Sequence, residues 1–247
     1  MTMVELLIVI GLIALLIGLL APGLWGVRSA GRAMQCSANL RQMAIAAQGY
    51  AAIYDAFPAG IRYENDGGVT IIAWDWVTTF SGQIISPGPL WAFSDNPGQV
   101  QQCPEYHGTT NFAGDPYTGY NYNTTYLGGE ASSPLRPGWD SMRPGVRPDA
   151  CRRVSQCAMF GDGGWSGGTN KFMRAPMNSE GHPLFLVYAG GQAFRHRQST
   201  NVAYLDGHVG PVDRVHPGGL ATESLLNGIG YPENGFLSND DTAYDPR

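Results

Sequence analysis

The sequence predicts an α+β fold in which one long N-terminal helix packs on an antiparallel β-sheet head with long loops. Three observations carry this. An uncharged apolar run, LLIVIGLIALLIGLLAPGLW, spans Leu6 to Trp25. From Arg28 to Tyr54 the apolar residues keep a helical period. Beyond Gly60 that period vanishes, and short β-forming runs alternate with turn residues. Composition agrees: of 247 residues only 14% are charged, with 34 Gly and 17 Pro, which excludes a coiled coil, a helical bundle or a charged disordered tail. The 43% apolar content is enough to build a core. Net charge is −5, Lys171 is the only lysine among 15 basic residues, and no basic run appears, so no nucleic-acid partner is expected. Three regions follow: 1–27, a hydrophobic transmembrane helix; 28–56, its amphipathic second half; 57–247, a β-rich globular head.

As a helix, Leu6–Trp25 is about 30 Å long, enough to cross the hydrocarbon layer. A cleavable secretory signal would place basic residues before a shorter apolar stretch, whereas the one charge ahead of this run is Glu5. An ordinary anchor explains the length but not the acid. A carboxylate among aliphatic side chains is costly unless paired, and the nearest candidate cation is an α-amino group of the same or a neighbouring chain. At about 4 Å and an effective dielectric near 20 such a pair gains roughly 4 kcal/mol, so in a bundle of helices it would select the register of each subunit. Pro22 removes one backbone donor and predicts a kink or loosened turn.

In the second half, Cys36, Leu40, Met43, Ala47, Tyr50 and Tyr54 step by four and three, a stripe expected to face the head, with Arg41, Gln42 and Gln48 opposite. Pro58 and Gly60 stop the helix. In the head, Val69–Trp74 and Pro183–Tyr188 are expected strands, and Asn201–Val209 is expected to be a hairpin turning at Asp206-Gly207 through a type I′ turn.

The opening Met1-Thr2-Met3-Val4-Glu5-Leu6-Leu7 resembles the mature N-terminus of type IV pilins and type II secretion pseudopilins. The string from Cys36 to Gln42 with Phe57-Pro58, the pairs Cys103-Pro104 and Tyr120-Asn121, and His196 nine residues before Asp206-Gly207 resemble one branch of that superfamily. The resemblance implies that a prepilin peptidase removes a leader and that Met1, where the family usually has Phe, becomes the N-methylated first residue. It also implies that Met1, Glu5, Gly18 and Pro22 serve assembly. The chain would then be a structural subunit without enzymatic activity. It would wait in the inner membrane with its head outside, and an assembly platform would extract it into an extracellular pilus-like filament of its own copies. The alternatives are a periplasmic pseudopilin of a secretion system, a minor tip subunit or, from another class, a membrane-anchored binding protein or hydrolase. Arg28, Arg32 and Arg41 follow the apolar run, so only a basic leader would reverse the cytoplasmic placement they favour.

For His196, Asp206 and Gly207 the preferred reading is a structural tie, with the imidazole bonding a turn or carboxylate; zinc held by His196, Asp206 and His208 is the alternative. No cofactor is expected, although the resemblance to secretion pseudopilins raises calcium at Asp162 or at Asp240 with Asp241, against a solvated acidic loop. Cys36, Cys103, Cys151 and Cys157 allow three pairings. In an exported head the expected links are Cys36–Cys103 and Cys151–Cys157, against a set of buried thiols. Asn123-Thr124-Thr125 fits a glycosylation sequon, and Tyr117, Tyr120, Tyr122 and Tyr126 are read as packing residues before a sugar-binding face.

Overall fold

Thr2 and Glu5 start the long helix by satisfying each other's backbone. Thr2 Oγ1 accepts the Glu5 N–H at 3.3 Å and Glu5 Oε2 accepts the Thr2 N–H at 2.7 Å, a reciprocal capping box. The computed structural model describes residues 2–65, 67–92, 97–111, 114–128, 145–178, 190–219 and 221–247, leaving out some side chains, those of 20–25 among them. Helix α1 (Met3–Tyr54) runs for 52 residues, about 78 Å, and continues through Pro22 without a stop. It ends where Asp55 turns left-handed at φ 55° and Pro58 follows. Met1 and the Pro22 side chain lie outside the described residues. Among the described residues no helix is long and apolar enough to cross a membrane; the run Leu6–Trp25, read as a span, includes the six side chains that are left out.

The head holds two sheets. Strands β1 (Ile61–Asn65), β2 (Val69–Ala73), β3 (Trp76–Thr79) and β4 (Ile84–Pro87) form an antiparallel meander. After α2 (Pro97–Gln101) come β5 (Tyr120–Asn123), β6 (Ala158–Gly164), β7 (Phe172–Met173), β8 (Gly191–Ala193), β9 (Thr200–Tyr204), β10 (Val209–Val212), α3 (Glu223–Ile229) and β11 (Asn234–Gly235). The second sheet orders these β10-β9-β6-β5-β7, with β8 joining β6 to β11. The expectation of an antiparallel head needs one correction, because β5 and β7 are parallel. The intervening β6 reverses the chain, so β7 returns in the direction of β5 and pairs on its free edge. The expected strand Pro183–Tyr188 lies outside the described residues.

The second half of α1 seats on the head. Cys36, Leu40, Met43, Ala44, Ala47 and Ala51 are buried in one core with Tyr120, Phe160, Ala203 and Leu205. The stripe departs from expectation at its end: Tyr50 is half-buried and Tyr54 exposed, their rings packed at 4.4 Å, while Ala51 takes the inward position. Gln48 faces the head and donates to the Leu205 carbonyl at 2.9 Å. A second core of Met173, Val202, Leu225, Ile229, Phe236 and Tyr244 includes α3 residues and the C-terminal segment.

The β9–β10 hairpin is present, but its turn is not type I′. Gly207 alone is left-handed, at φ 88°, and its N–H reaches the Tyr204 carbonyl at 2.9 Å, as in a type I turn closed by a glycine bulge. The mirror-image turn lies one strand earlier: Arg197 (φ 56°) and Gln198 (φ 65°) carry the chain between His196 and Ser199, whose backbones bond both ways. The His196-to-Asp206 spacing is therefore the length of β9 with a turn at either end.

Candidate functional site

Two features stand out, one at each half of α1. In the first half the large apolar side chains from Met3 to Leu19 are all exposed, from 46% at Leu6 to 80% at Met3. A helix apolar on every side belongs in lipid or among other apolar helices. Gly18 lies on this bare half with open space where a side chain would stand. Glu5 bonds the Thr2 N–H of its own chain; Met1, which carries the α-amino group, lies outside the described residues.

At the seat of α1, four buried side chains from four segments converge. Cys36 Sγ lies 3.0 Å from Cys103 Sγ, Cys103 Sγ 3.9 Å from His196 Nε2, and His196 Nε2 3.3 Å from Asp162 Oδ1. All the ligating atoms sit within 4.8 Å of one another. Helix α1 supplies Cys36, the segment after α2 Cys103, β6 Asp162, and the turn before β9 His196. Gly119 (φ 122°) permits the close approach, since a side chain there would strike Cys103 Cβ at 2.3 Å. Asp162 Oδ2 accepts the Asn201 N–H at 2.7 Å, and Asn201 Oδ1 accepts the Ser37 hydroxyl of α1. The Cys36 S–H donated to Cys103 holds that thiol down, to about 5, and its retention pushes Cys36 up. For His196 burial favours the neutral ring, but bonds to Asp162 and Cys103 outweigh it and raise the ring to about 9. His196 Nδ1 has no hydrogen-bond partner among the described residues.

His196 thus ties to Asp162, not to Asp206. Asp206 instead holds its own turn, with Oδ1 2.6 Å from His208 Nδ1, and His208 stacks on Tyr204 at the surface. The zinc set of His196, Asp206 and His208 is not assembled. Asp162 likewise stands apart from Asp240 and Asp241. Asp240 caps the last 3-10 turn by accepting from Thr242, whereas Asp241 accepts from Met177 N–H and the Tyr126 hydroxyl. All four cysteines are free thiols. Cys157 Sγ donates to the Tyr244 carbonyl at 3.0 Å and Cys151 Sγ to the Arg147 carbonyl at 3.6 Å, so each has its own partner. Asn123 is fully buried, donating to the Ala158 and Tyr244 carbonyls, which leaves its amide closed to a sugar. Tyr120 and Tyr122 are core residues, Tyr126 is half-buried, and Tyr117 is partly exposed.

Sequence reasoning missed a second buried cluster. Lys171 Nζ sits between Asp75 and Asp115, its side chain only 4% exposed. Gln101 Nε2 bonds the other Asp75 oxygen at 2.8 Å, and Trp91 Nε1 holds Gln101. The available signal was the solitary lysine in a chain that otherwise uses arginine. Burial, with Asp75 adding to it, pushes Asp115 up to about 7 against the pull of Lys171. Burial also presses on Lys171, yet the two carboxylates outweigh it and hold the ammonium charged.

No curated protein matches the chain, and no solved structure does. Residues 26–85, from the start of the seated half of α1 into β4, match the model of a family described as a protein of unknown function, DUF1559.

Proposed function

We propose that this chain is a structural subunit that polymerises through its N-terminal helix into an extracellular, type IV pilus-like filament. The observation that carries this reading is the bare apolar half of α1, Met3 to Leu19, continuous in one helix with a half that is seated on the head. Such a surface exchanges acyl chains for neighbouring helices at little cost, so a subunit stored in the inner membrane is removable into a bundle. Contacts of this kind that do not close on themselves build open filaments. The match over residues 26–85 is compatible with a pilin-like surface protein. A prepilin peptidase and an assembly platform are the partners this role requires. Electron microscopy of sheared surface material, with the filaments identified by mass spectrometry, is the test. Filaments built of this chain support the reading. Short periplasmic assemblies move it to a secretion pseudopilin, and monomeric membrane-bound chain overturns it in favour of an anchored binding protein or hydrolase.

A further inference from the structure

We infer that Cys36, Cys103, Asp162 and His196 bind one zinc ion that fastens α1 to the head. Two thiolates, an imidazole and a carboxylate are a donor set for zinc, and the sulfurs argue against calcium, which takes oxygen. Tetrahedral zinc, with bonds of about 2.3 Å to sulfur and about 2.0 Å to nitrogen and oxygen, needs edges of about 3.8 Å between sulfurs, about 3.5 Å from sulfur to nitrogen and about 3.3 Å from nitrogen to oxygen. The structure gives 3.0, 3.9 and 3.3 Å for the three contacts that link the four residues. Of these three, the sulfurs must part by about 0.8 Å, less than the roughly 1.0 Å that they would have to close to form a disulfide of about 2.0 Å, and His196 must approach Cys103 by about 0.4 Å.

The surroundings decide between these two fates. A disulfide needs nothing from His196 or Asp162, yet His196 Nε2, from the turn before β9, and Asp162 Oδ1, from β6, both lie within 4.8 Å of the two sulfurs. Asp162 is oriented for the purpose: the Asn201 N–H occupies its outer oxygen, and Asn201 is itself bonded to Ser37, one residue beyond Cys36. Such fixing of a ligand from behind is what metal sites use to aim their donors. Two thiolates and one carboxylate around a divalent ion leave one negative charge, and Arg195, the neighbour of His196, brings positive charge to Cys103. Because each ligand comes from a different segment, the usual short cysteine spacings of zinc motifs are absent.

The test uses the full-length chain extracted in detergent without chelator or reductant. Elemental mass spectrometry should find about one zinc per chain, and Cys36 and Cys103 should become open to alkylation only after chelation. Cys103→Ser should lose the zinc. Should that variant not fold, the wild-type chain answers alone: reduced, stripped and given cobalt(II), it should develop the thiolate-to-cobalt charge-transfer band of a tetrahedral site. A Cys36–Cys103 disulfide in the chain as extracted overturns the assignment. So does a chain that carries no zinc and whose reduced form gives no such band.

Discussion

Lys171 Nζ lies 2.8 Å from Asp75 Oδ1, both side chains closed off from water. The contact joins the β2–β3 corner to the entry of β7, so it ties the meander to the larger sheet. Removing the ammonium strands two carboxylates in the interior, which typically costs about 3–5 kcal/mol. Lys171→Met should lower the stability of the detergent-solubilised chain by that order in urea titration. A loss under about 1 kcal/mol, the range of surface pairs, would show that water reaches the cluster.

The same cluster sets a pH dependence. Asp115 is raised from 3.8 to about 7, so the folded chain binds a proton that the unfolded chain has released across that window. The stabilisation from this proton is complete below 3.8 and lost as pH rises through about 7. Lys171 shifts upward too, but its contribution fades only above the usual lysine range. Urea midpoints should therefore fall between pH 5 and 8 in wild type. Asp115→Asn, which mimics the protonated acid, should flatten the part of that slope due to Asp115; an unchanged slope contradicts the assignment.

Glu5 caps α1 and, under the proposed function, would also pair its charge in the filament. Glu5→Ala removes the reciprocal bond to the Thr2 N–H and should fray the first turn by about 1 kcal/mol. Glu5→Gln keeps the capping pattern without charge. If charge pairing sets the register in the filament, both variants should insert in membranes and both should yield few sheared filaments. Normal filaments from Glu5→Gln would leave the acid as a cap alone.

The seat is a packed core, so its cost of mutation is set by burial. Leu40→Ala, at a fully buried position, should destabilise the chain by about 2–5 kcal/mol. Ile53→Ala, 62% exposed on the same helix, should fall within about 0.5 kcal/mol of wild type. Equal losses in thermal unfolding would contradict this placement of the helix.

Asn123 gives a prediction against its sequon. Asn123→Ala removes the amide donor of the Ala158 and Tyr244 carbonyls, leaves them only the weaker Cys157 thiol, and should cost about 1–3 kcal/mol. Intact mass measurements should show no sugar at this position in the native chain.

Local features were the legible ones. The stripe from Cys36 to Ala47 marked the seated face of α1 because a helix repeats its inward positions every three or four residues. Asp206-Gly207 marked a reversal because few other pairs tolerate a left-handed second residue. What escaped the sequence depends on contacts far apart in the chain. His196 pairs with Asp162 across adjacent strands, 34 residues away, while the nearer Asp206 is spent on its own turn. The parallel β5–β7 pair involves a strand of only two residues, too short to carry a period. Likewise, Lys171, Asp75 and Asp115 are separated by 96 and 56 positions, and no spacing rule joins them.

The seat of α1 runs along the helix from Cys36 to Ala51, about 22 Å of axis. A pull on the apolar end is directed along that axis, parallel to the interface. It loads Cys36, Leu40, Met43, Ala47 and Ala51 together in shear, where peeling from one edge would break them in turn. Under the proposed function, a fibre strung from such subunits would resist tension with the whole seat at once, and would yield sooner to sideways prying at Tyr54.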